Sequence, residues 1–118
     1  MQGVPTQSTR PRVAGVQRSA TVAWSPTSQH ATLMAAGTVA GAISDSFDAT
    51  AQLELFSLDL GARTGDMPLL GSVQTSERFH RLAWGSHGHD SGAFSHGIIA
   101  GGMVDGSIKI FNPALMLG

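Results

Sequence analysis

Residues 97–113 read Gly-Ile-Ile-Ala-Gly-Gly-Met-Val-Asp-Gly-Ser-Ile-Lys-Ile-Phe-Asn-Pro, and this stretch decides the fold. Two short runs rich in β-branched residues flank Asp105 and Gly106. An Asp-Gly pair suits the centre of a type I′ turn, because glycine adopts positive φ freely and aspartate tolerates it. Pro113 ends the second run, since proline has no N–H to donate to a sheet. The stretch therefore predicts a β-hairpin with Asp105 and Gly106 at the two central positions of its turn.

The same order of segments occurs earlier in the chain in a looser form. The matched pairs are Val22-Ala23-Trp24-Ser25 with Leu82-Ala83-Trp84-Gly85, Leu33-Met34-Ala35-Ala36-Gly37 with Ile98-Ile99-Ala100-Gly101-Gly102, and Leu53-Glu54-Leu55-Phe56 with Ile108-Lys109-Ile110-Phe111. Three matches in the same order, about 60 residues apart, indicate an internal repeat whose loops differ in length. Repeats that each supply a few short strands are typical of the blades of a β-propeller.

The composition excludes several classes of protein. With 118 residues the chain has the length of one ordinary domain. It is 42% hydrophobic and only 13% charged, which argues against intrinsic disorder and predicts that much of its surface is covered. A net charge of −1 with a single lysine is a poor electrostatic footprint for nucleic acid. The absence of cysteine excludes disulfides and thiolate chemistry and fits the cytosol.

Along the chain, residues 1–17 read as a disordered leader, although their acid-free, arginine-bearing composition is also that of a transit peptide. The first copy predicts four strands, near residues 20–24, 33–36, 52–60 and 69–73, with a bulge in the third and a long loop over 38–50. A helix over 51–60 is the competing interpretation of the third strand. The second copy predicts three strands, from Phe79 onward. The predicted fold is all-β, with residues 18–118 forming two blades of a partial WD-repeat β-propeller that cannot close alone.

One cluster carries the residue types of a metal site: His87, His89 and Asp90, with His96 nearby. A zinc site needs ligands held at fixed spacing on a rigid scaffold. These residues lie instead in a Gly/Ser-rich stretch, which is typical of a solvated loop. No metal site and no cofactor is therefore predicted.

The long loop contains a second candidate, in which Asp45 and Asp48 flank Phe47. Paired carboxylates can act as general acid and base, but no nucleophile or glycine-rich cradle accompanies them. No catalytic residue and no enzyme is predicted, and Phe47 is better suited to contact a neighbouring protein. Trp24 and Trp84 could be interface residues, but their place in matched apolar strands predicts that both are core residues.

Residues 76–85, Ser-Glu-Arg-Phe-His-Arg-Leu-Ala-Trp-Gly, followed by the hairpin of 97–113, resemble the large outer-coat subunits of COPII vesicles. The resemblance also takes in residues 18–26, 36–38 and 51–56, and so covers about residues 18–117. In that family this region forms the first blades of an N-terminal WD-repeat propeller at the vertices of the coat cage. A helical solenoid and a proline-rich stretch follow it in the family and are absent from these 118 residues.

The resemblance implies a structural component of the COPII outer coat in transport from endoplasmic reticulum to Golgi, present as an N-terminal fragment. It implies protein partners, namely the smaller WD-repeat coat subunit and other outer-coat subunits, and no nucleic acid. It also implies peripheral membrane association through the coat, on the cytoplasmic side at endoplasmic reticulum exit sites. The alternative is a generic WD-repeat adaptor that binds peptides, which has no reason to carry the block from Glu77 to Trp84.

The chain departs from the usual WD pattern in its third strands. These end in Phe56-Ser57 and Phe111-Asn112, where a usual blade has Trp-Asp. Asp105 alone matches the position that anchors the hydrogen-bond network of a blade. The residues to which we assign structural roles are Trp24, Phe56, Trp84, Asp105, Gly106 and Phe111.

Overall fold

The computed structural model describes residues 12–39, 51–58, 61, 65, 67–88, 90 and 92–117. These residues form seven strands and little helix. The elements are β1 (Ala20–Trp24), a 3₁₀ helix (Ser28–His30), β2 (Leu33–Thr38), β3 (Ala51–Ser57), β4 (Leu69–Thr75), β5 (Phe79–Gly85), β6 (Ile98–Met103), β7 (Ile108–Phe111) and α1 (Pro113–Met116). The predicted all-β fold is confirmed.

The first sheet has four antiparallel strands in the order β1-β2-β3-β4, as expected for one blade. The third element is a strand and not the competing helix. Its register against β4 shifts between Leu55 and Phe56, where the predicted bulge is found. β3 ends at Ser57, so Leu58 lies outside the strand, and Leu60 lies outside the described residues.

The second sheet has three antiparallel strands in the order β5-β6-β7. Each sheet is thus a meander, and the two repeats of the sequence correspond to the two sheets. Val39, just after β2, forms a parallel bridge with Phe79 at the start of β5. The two sheets pack face to face, with their first strands β1 and β5 close together, as neighbouring blades of a propeller do.

The hairpin between β6 and β7 exists, but its turn is placed one residue earlier than predicted. The Gly106 N–H donates to the Met103 carbonyl at 3.1 Å, so Val104 and Asp105 are the central residues of the turn. No described residue other than glycine has positive φ, which excludes type I′ with Asp105 at its centre. Gly106 follows with φ of 90°, which makes a three-residue loop closed by a left-handed glycine.

The core lies between the two sheets. It consists of buried residues from both: Leu33, Ala35, Leu53 and Leu55 from the first sheet, and Phe79, Leu82, Trp84, Ile99 and Met103 from the second. Leu53 and Leu55 are completely buried here. Because successive side chains of a strand point to opposite faces, every strand of this core presents one set of side chains to the neighbouring sheet.

Phe79 holds the two sheets together at the centre of this core. A Cβ atom added to Gly37 on β2 would lie 2.7 Å from the Phe79 ring, and one added to Gly101 on β6 would lie 2.5 Å from it. Real Cβ atoms do not approach a ring so closely, so the ring fits only between two glycines, one from each sheet. The repeated Ala-Gly pairs of the sequence are therefore explained by close packing rather than by a turn.

A short helix that the sequence pattern did not predict follows β7. Asn112 begins it, since its Oδ1 accepts a hydrogen bond from the Ala114 N–H at 3.2 Å, and Pro113 stands at its first position. The helix packs on β4, where the Met116 carbonyl lies against Gly71. It thereby closes the outer side of the junction between the sheets.

Candidate interaction surfaces

The outer face of the second sheet is apolar and uncovered. Ala83, Ala100 and Ile110 are paired in register on it, with Ile108 one row further along. Ile108 is 75% exposed and Ile110 is 59% exposed. A Cβ added to Gly102, between Arg81 and Ile108, would touch nothing within 4 Å. We call this surface, defined by Ala83, Ala100, Ile108 and Ile110, the bare face.

The edge of the same sheet is open as well. β7 pairs with β6 on one side, and no described strand pairs with its other side. The first sheet has a fourth strand at the corresponding position. An edge of this kind presents N–H and C=O groups with which a further strand can pair.

The central strands of the first sheet are covered on their outer face by the chain itself. Residues 12–19, which we call the N-terminal strap, cross this face, and Val16 packs on the buried Met34, Ala36 and Phe56. The Gly15 N–H donates to the Gly65 carbonyl at 3.0 Å. The sequence assigns residues 1–17 to a disordered leader, and in the structure Gly15 and Val16 of this segment lie against the first sheet. Apolar contact and hydrogen bonds hold them on the sheet, while residues 1–11 lie outside the described part.

An ion pair fixes the strap to β3. Arg18 donates from Nε to Glu54 Oε1 at 2.7 Å and from Nη2 to Oε2 at 3.0 Å, a two-pronged geometry. The Glu54 side chain is almost fully buried, whereas the Arg18 side chain is 40% exposed. The guanidinium also lies 5.7 Å from the centre of the Phe56 ring, and its hydrogen bond with Glu54 raises the pKa of Arg18. Arg18 therefore covers the apolar surface and neutralises the buried Glu54 carboxylate beneath it.

The strap leaves β1 uncovered. Val22 and Trp24 point to the same outer face and are 51% and 50% exposed. Trp84, the matched residue of the second repeat, is buried and its indole N–H donates to the His96 carbonyl at 2.7 Å. The prediction that both tryptophans are core residues therefore fails for Trp24, because Trp24 points away from the junction and Trp84 points into it.

The remaining predicted structural residues have different surroundings. Phe56 is buried under the strap, and the half-buried Phe111 lies with its ring 6.0 Å from that of Phe79. Asp105 is exposed and accepts hydrogen bonds from the Ser107 hydroxyl at 2.6 Å and from its N–H at 3.0 Å. These bonds lower the pKa of Asp105. These two hydrogen bonds of Asp105 thus stay within its own turn and do not reach across the blade.

The two clusters considered for metal or catalysis gain no support. No group of three or more His, Cys, Asp or Glu side chains comes together in the described part of the chain. His87 and Asp90 are exposed, while His89 lies outside the described residues, as do Asp45, Phe47 and Asp48. No helix among the described residues has the length and apolarity needed to cross a bilayer.

Comparison of the sequence with known proteins identifies relatives of this chain. No known protein-family profile matches the chain. Curated relatives do match: "Protein transport protein SEC31 homolog B" of Arabidopsis thaliana is 49% identical over 106 residues, or 90% of the chain. The chain is a SEC31 homologue. "Protein transport protein SEC31" of Dictyostelium discoideum is 40% identical and "Protein transport protein Sec31A" of Homo sapiens is 34% identical, each over 86% of the chain.

The match covers only a small part of these relatives. The chain spans 9% of the Arabidopsis protein, 7% of the Dictyostelium protein and 8% of the human protein. A SEC31 protein is thus more than ten times as long as the segment that the chain matches. The resemblance stated from residues 76–85 and the hairpin is confirmed as homology to SEC31 proteins.

Proposed function

We propose that the chain supplies two adjacent blades of a WD-repeat propeller to a structural subunit of the COPII outer coat. The observation that carries the proposal is the identity of 34–49% to SEC31 transport proteins over most of the chain. The face-to-face packing of two meander sheets supports it, because neighbouring blades of a propeller pack in this way. The working surface is then a protein contact and not a catalytic centre.

The bare face and the open edge of β7 have defined roles in this proposal. In the longer protein, further chain supplies a fourth strand to the second sheet, and a third sheet covers Ala100, Ile108 and Ile110. A propeller needs this arrangement, since each sheet buries its faces against its neighbours. Residues 18–118 form one unit with that added chain, and the assembled propeller is the functional domain.

The partners and location follow from the same proposal. The longer protein binds the smaller WD-repeat subunit and other outer-coat subunits, and it is held at the membrane of endoplasmic reticulum exit sites through the coat, on the cytoplasmic side. The low charge of the chain, with a net value of −1, suits burial between protein surfaces better than direct binding to an anionic lipid surface. No enzymatic role is proposed.

A chimera tests this function. Residues 12–117 replace the matched segment of the Arabidopsis SEC31 homologue, and the chimera is expressed in cells depleted of their own SEC31. We expect restored export of a secretory cargo from the endoplasmic reticulum, whereas the 118-residue chain alone restores none. A chimera carrying Phe79→Ala is the matched control, because it loses the contact between the two sheets.

Failure of a chimera that is stable and abundant would contradict the coat proposal. It would favour the alternative, a WD-repeat adaptor without a coat role, since an adaptor's sheets need not fit the rest of a SEC31 propeller. Rescue by the 118-residue chain alone would contradict the assignment of export to the longer protein. Immunoblots of each variant separate loss of function from loss of protein.

A further inference from the structure

Two histidines stack at one rim of the junction between the sheets. His30 ends the 3₁₀ helix between β1 and β2, and His96 lies just before β6. Their ring centroids are 3.9 Å apart and the ring planes differ by 23°. Because His30 belongs to the first repeat and His96 to the second, the stack is a direct contact between the two sheets.

Backbone hydrogen bonds position the segments that carry the two rings. The His30 N–H donates to the Thr27 carbonyl at 3.1 Å, and the Gly97 N–H after His96 donates to the Phe94 carbonyl at 2.8 Å. The His96 carbonyl accepts the indole N–H of Trp84, a residue of the core between the sheets. A displacement of His96 therefore changes the surroundings of Trp84.

The two imidazole rings can stack when both are neutral, but protonation of both rings destabilises the stack. Like charges this close repel each other, and the desolvation that accompanies burial disfavours a charged imidazole. Burial, first, and the charge of His30, second, lower the pKa of His96. No carboxylate of the described residues is a cause of this shift, and the hydrogen-bond partner of the His96 ring is the neutral Ser95 hydroxyl, 3.1 Å from Nδ1.

The other titratable residues of the surrounding elements are few. The 3₁₀ helix has none besides His30, and α1 has none. Among the described residues, the loop between β5 and β6 contains His87 and Asp90 in addition to His96, while His80 and Arg81 lie near the start of β5, at the opposite end of the strand from Trp84. None of these is a cause of the shift at His96.

We propose that the His30–His96 stack is a pH-sensitive contact between the two sheets, closed when both rings are neutral and opened by acid. This inference does not depend on the coat function. The sign follows from the two states of His96. In the unfolded chain His96 titrates near its ordinary pKa of about 6.5, and in the folded chain its pKa is lower. The contribution of the neutral ring to stability is therefore complete above about pH 6.5 and is lost as the pH falls below that value.

Nuclear magnetic resonance titration of the histidine rings in the 118-residue chain tests the proposal. We expect His96 to titrate below the ordinary histidine range, and His30→Gln to raise the pKa of His96. His30→Phe keeps a ring for stacking without a charge, so it should also raise this pKa. His87→Gln, in the same loop, is the matched control and should leave it unchanged.

Fluorescence of Trp84 supplies a second readout, measured in a Trp24→Phe background that removes the exposed indole. Acid should change the Trp84 emission with a midpoint below pH 6.5, and His96→Gln should abolish this change. If His96 titrates at the ordinary value, or if His30→Gln leaves its pKa unaltered, the proposal is wrong. Titration of every histidine at the ordinary value, as an unfolded chain would give, counts equally against it.

Discussion

On the outer face of the first sheet, Met34 and Phe56 are 8% and 1% exposed, whereas Ile108 and Ile110 on the outer face of the second sheet are 75% and 59% exposed. Both faces carry apolar side chains, although the residues of the first repeat that match Ile108 and Ile110 are Leu53 and Leu55, which are completely buried between the sheets. Two features account for the difference: the N-terminal strap has no counterpart on the second sheet among the described residues, and β7 is an edge strand whereas β2 and β3 are central strands. Equal patterns along a strand thus do not imply equal burial, because burial depends on what lies above the sheet.

The two outer faces of the two-sheet unit are therefore not equivalent. Residues 12–19 cover the central strands of the first sheet on its outer face, whereas the outer face of the second sheet is exposed. The second sheet therefore offers the more exposed apolar side chains to a further sheet of the kind proposed above. The uncovered Val22 and Trp24 on β1 show that the strap covers only part of its own face, which leaves room for a second contact there.

The largest expected effect comes from truncating one buried side chain on the covered face. Phe56→Ala removes a ring that is 1% exposed and should lower the free energy of unfolding by about 3–5 kcal/mol. Ile110→Ala on the bare face is the matched control and should change it by less than about 0.5 kcal/mol. Urea unfolding of both variants measures the two values. Equal losses would mean that the two faces are equally covered in solution.

The next effect concerns association of the chain with itself. The bare face and the open edge of β7 favour self-association, and a net charge of −1 does little to oppose it. The double substitution Ile108→Lys and Ile110→Lys should weaken self-association by tenfold or more, which is about 1.4 kcal/mol. Analytical ultracentrifugation and binding of a hydrophobic dye measure it. A monodisperse wild-type monomer that binds no dye would contradict the bare face.

Removal of the charge that holds the strap should have an intermediate effect. Arg18→Met leaves Glu54 buried without its partner. We expect the free energy of unfolding to fall by about 1 kcal/mol, a modest value because the arginine side chain is partly in water. The additional change Glu54→Leu should recover much of this loss, since it removes the unpaired carboxylate. Protease cleavage within residues 12–19 reports release of the strap. Unchanged cleavage in Arg18→Met would show that apolar contact alone holds it.

The smallest effect tests the hairpin that borders the bare face. Gly106→Val should lower the free energy of unfolding by about 1 kcal/mol, because Gly106 has φ of 90° and valine disfavours positive φ. Gly102→Ala is the control, since a Cβ there meets no neighbouring atom. Thermal unfolding of both variants distinguishes backbone strain from steric contact. A neutral Gly106→Val would indicate that the turn differs in solution.

The local sequence was sufficient to predict the strands and the hairpin. The β-branched runs, the Asp-Gly pair and the repeated Ala-Gly segments act over a few residues, and such short-range preferences can be recognised without a structure. The turn register could not be derived in this way. It depends on where Met103 and Ser107 pair, and the Met103 N–H donates to the Ser107 carbonyl at 2.9 Å. Strand pairing selected the three-residue loop over the two-residue one.

The repeat in the sequence determined that there are two sheets of strands, because each copy carries the same apolar alternation and turn residues. Only the tertiary structure decided which face of each sheet is covered. Trp24 and Trp84 have matched neighbours in sequence, yet one is half exposed and the other is buried, since only Trp84 points into the junction. Phe79 likewise depends on Gly37 and Gly101, which are distant in sequence and adjacent in space. Contacts between elements far apart along the chain leave no local pattern, and for that reason they were decided by packing alone.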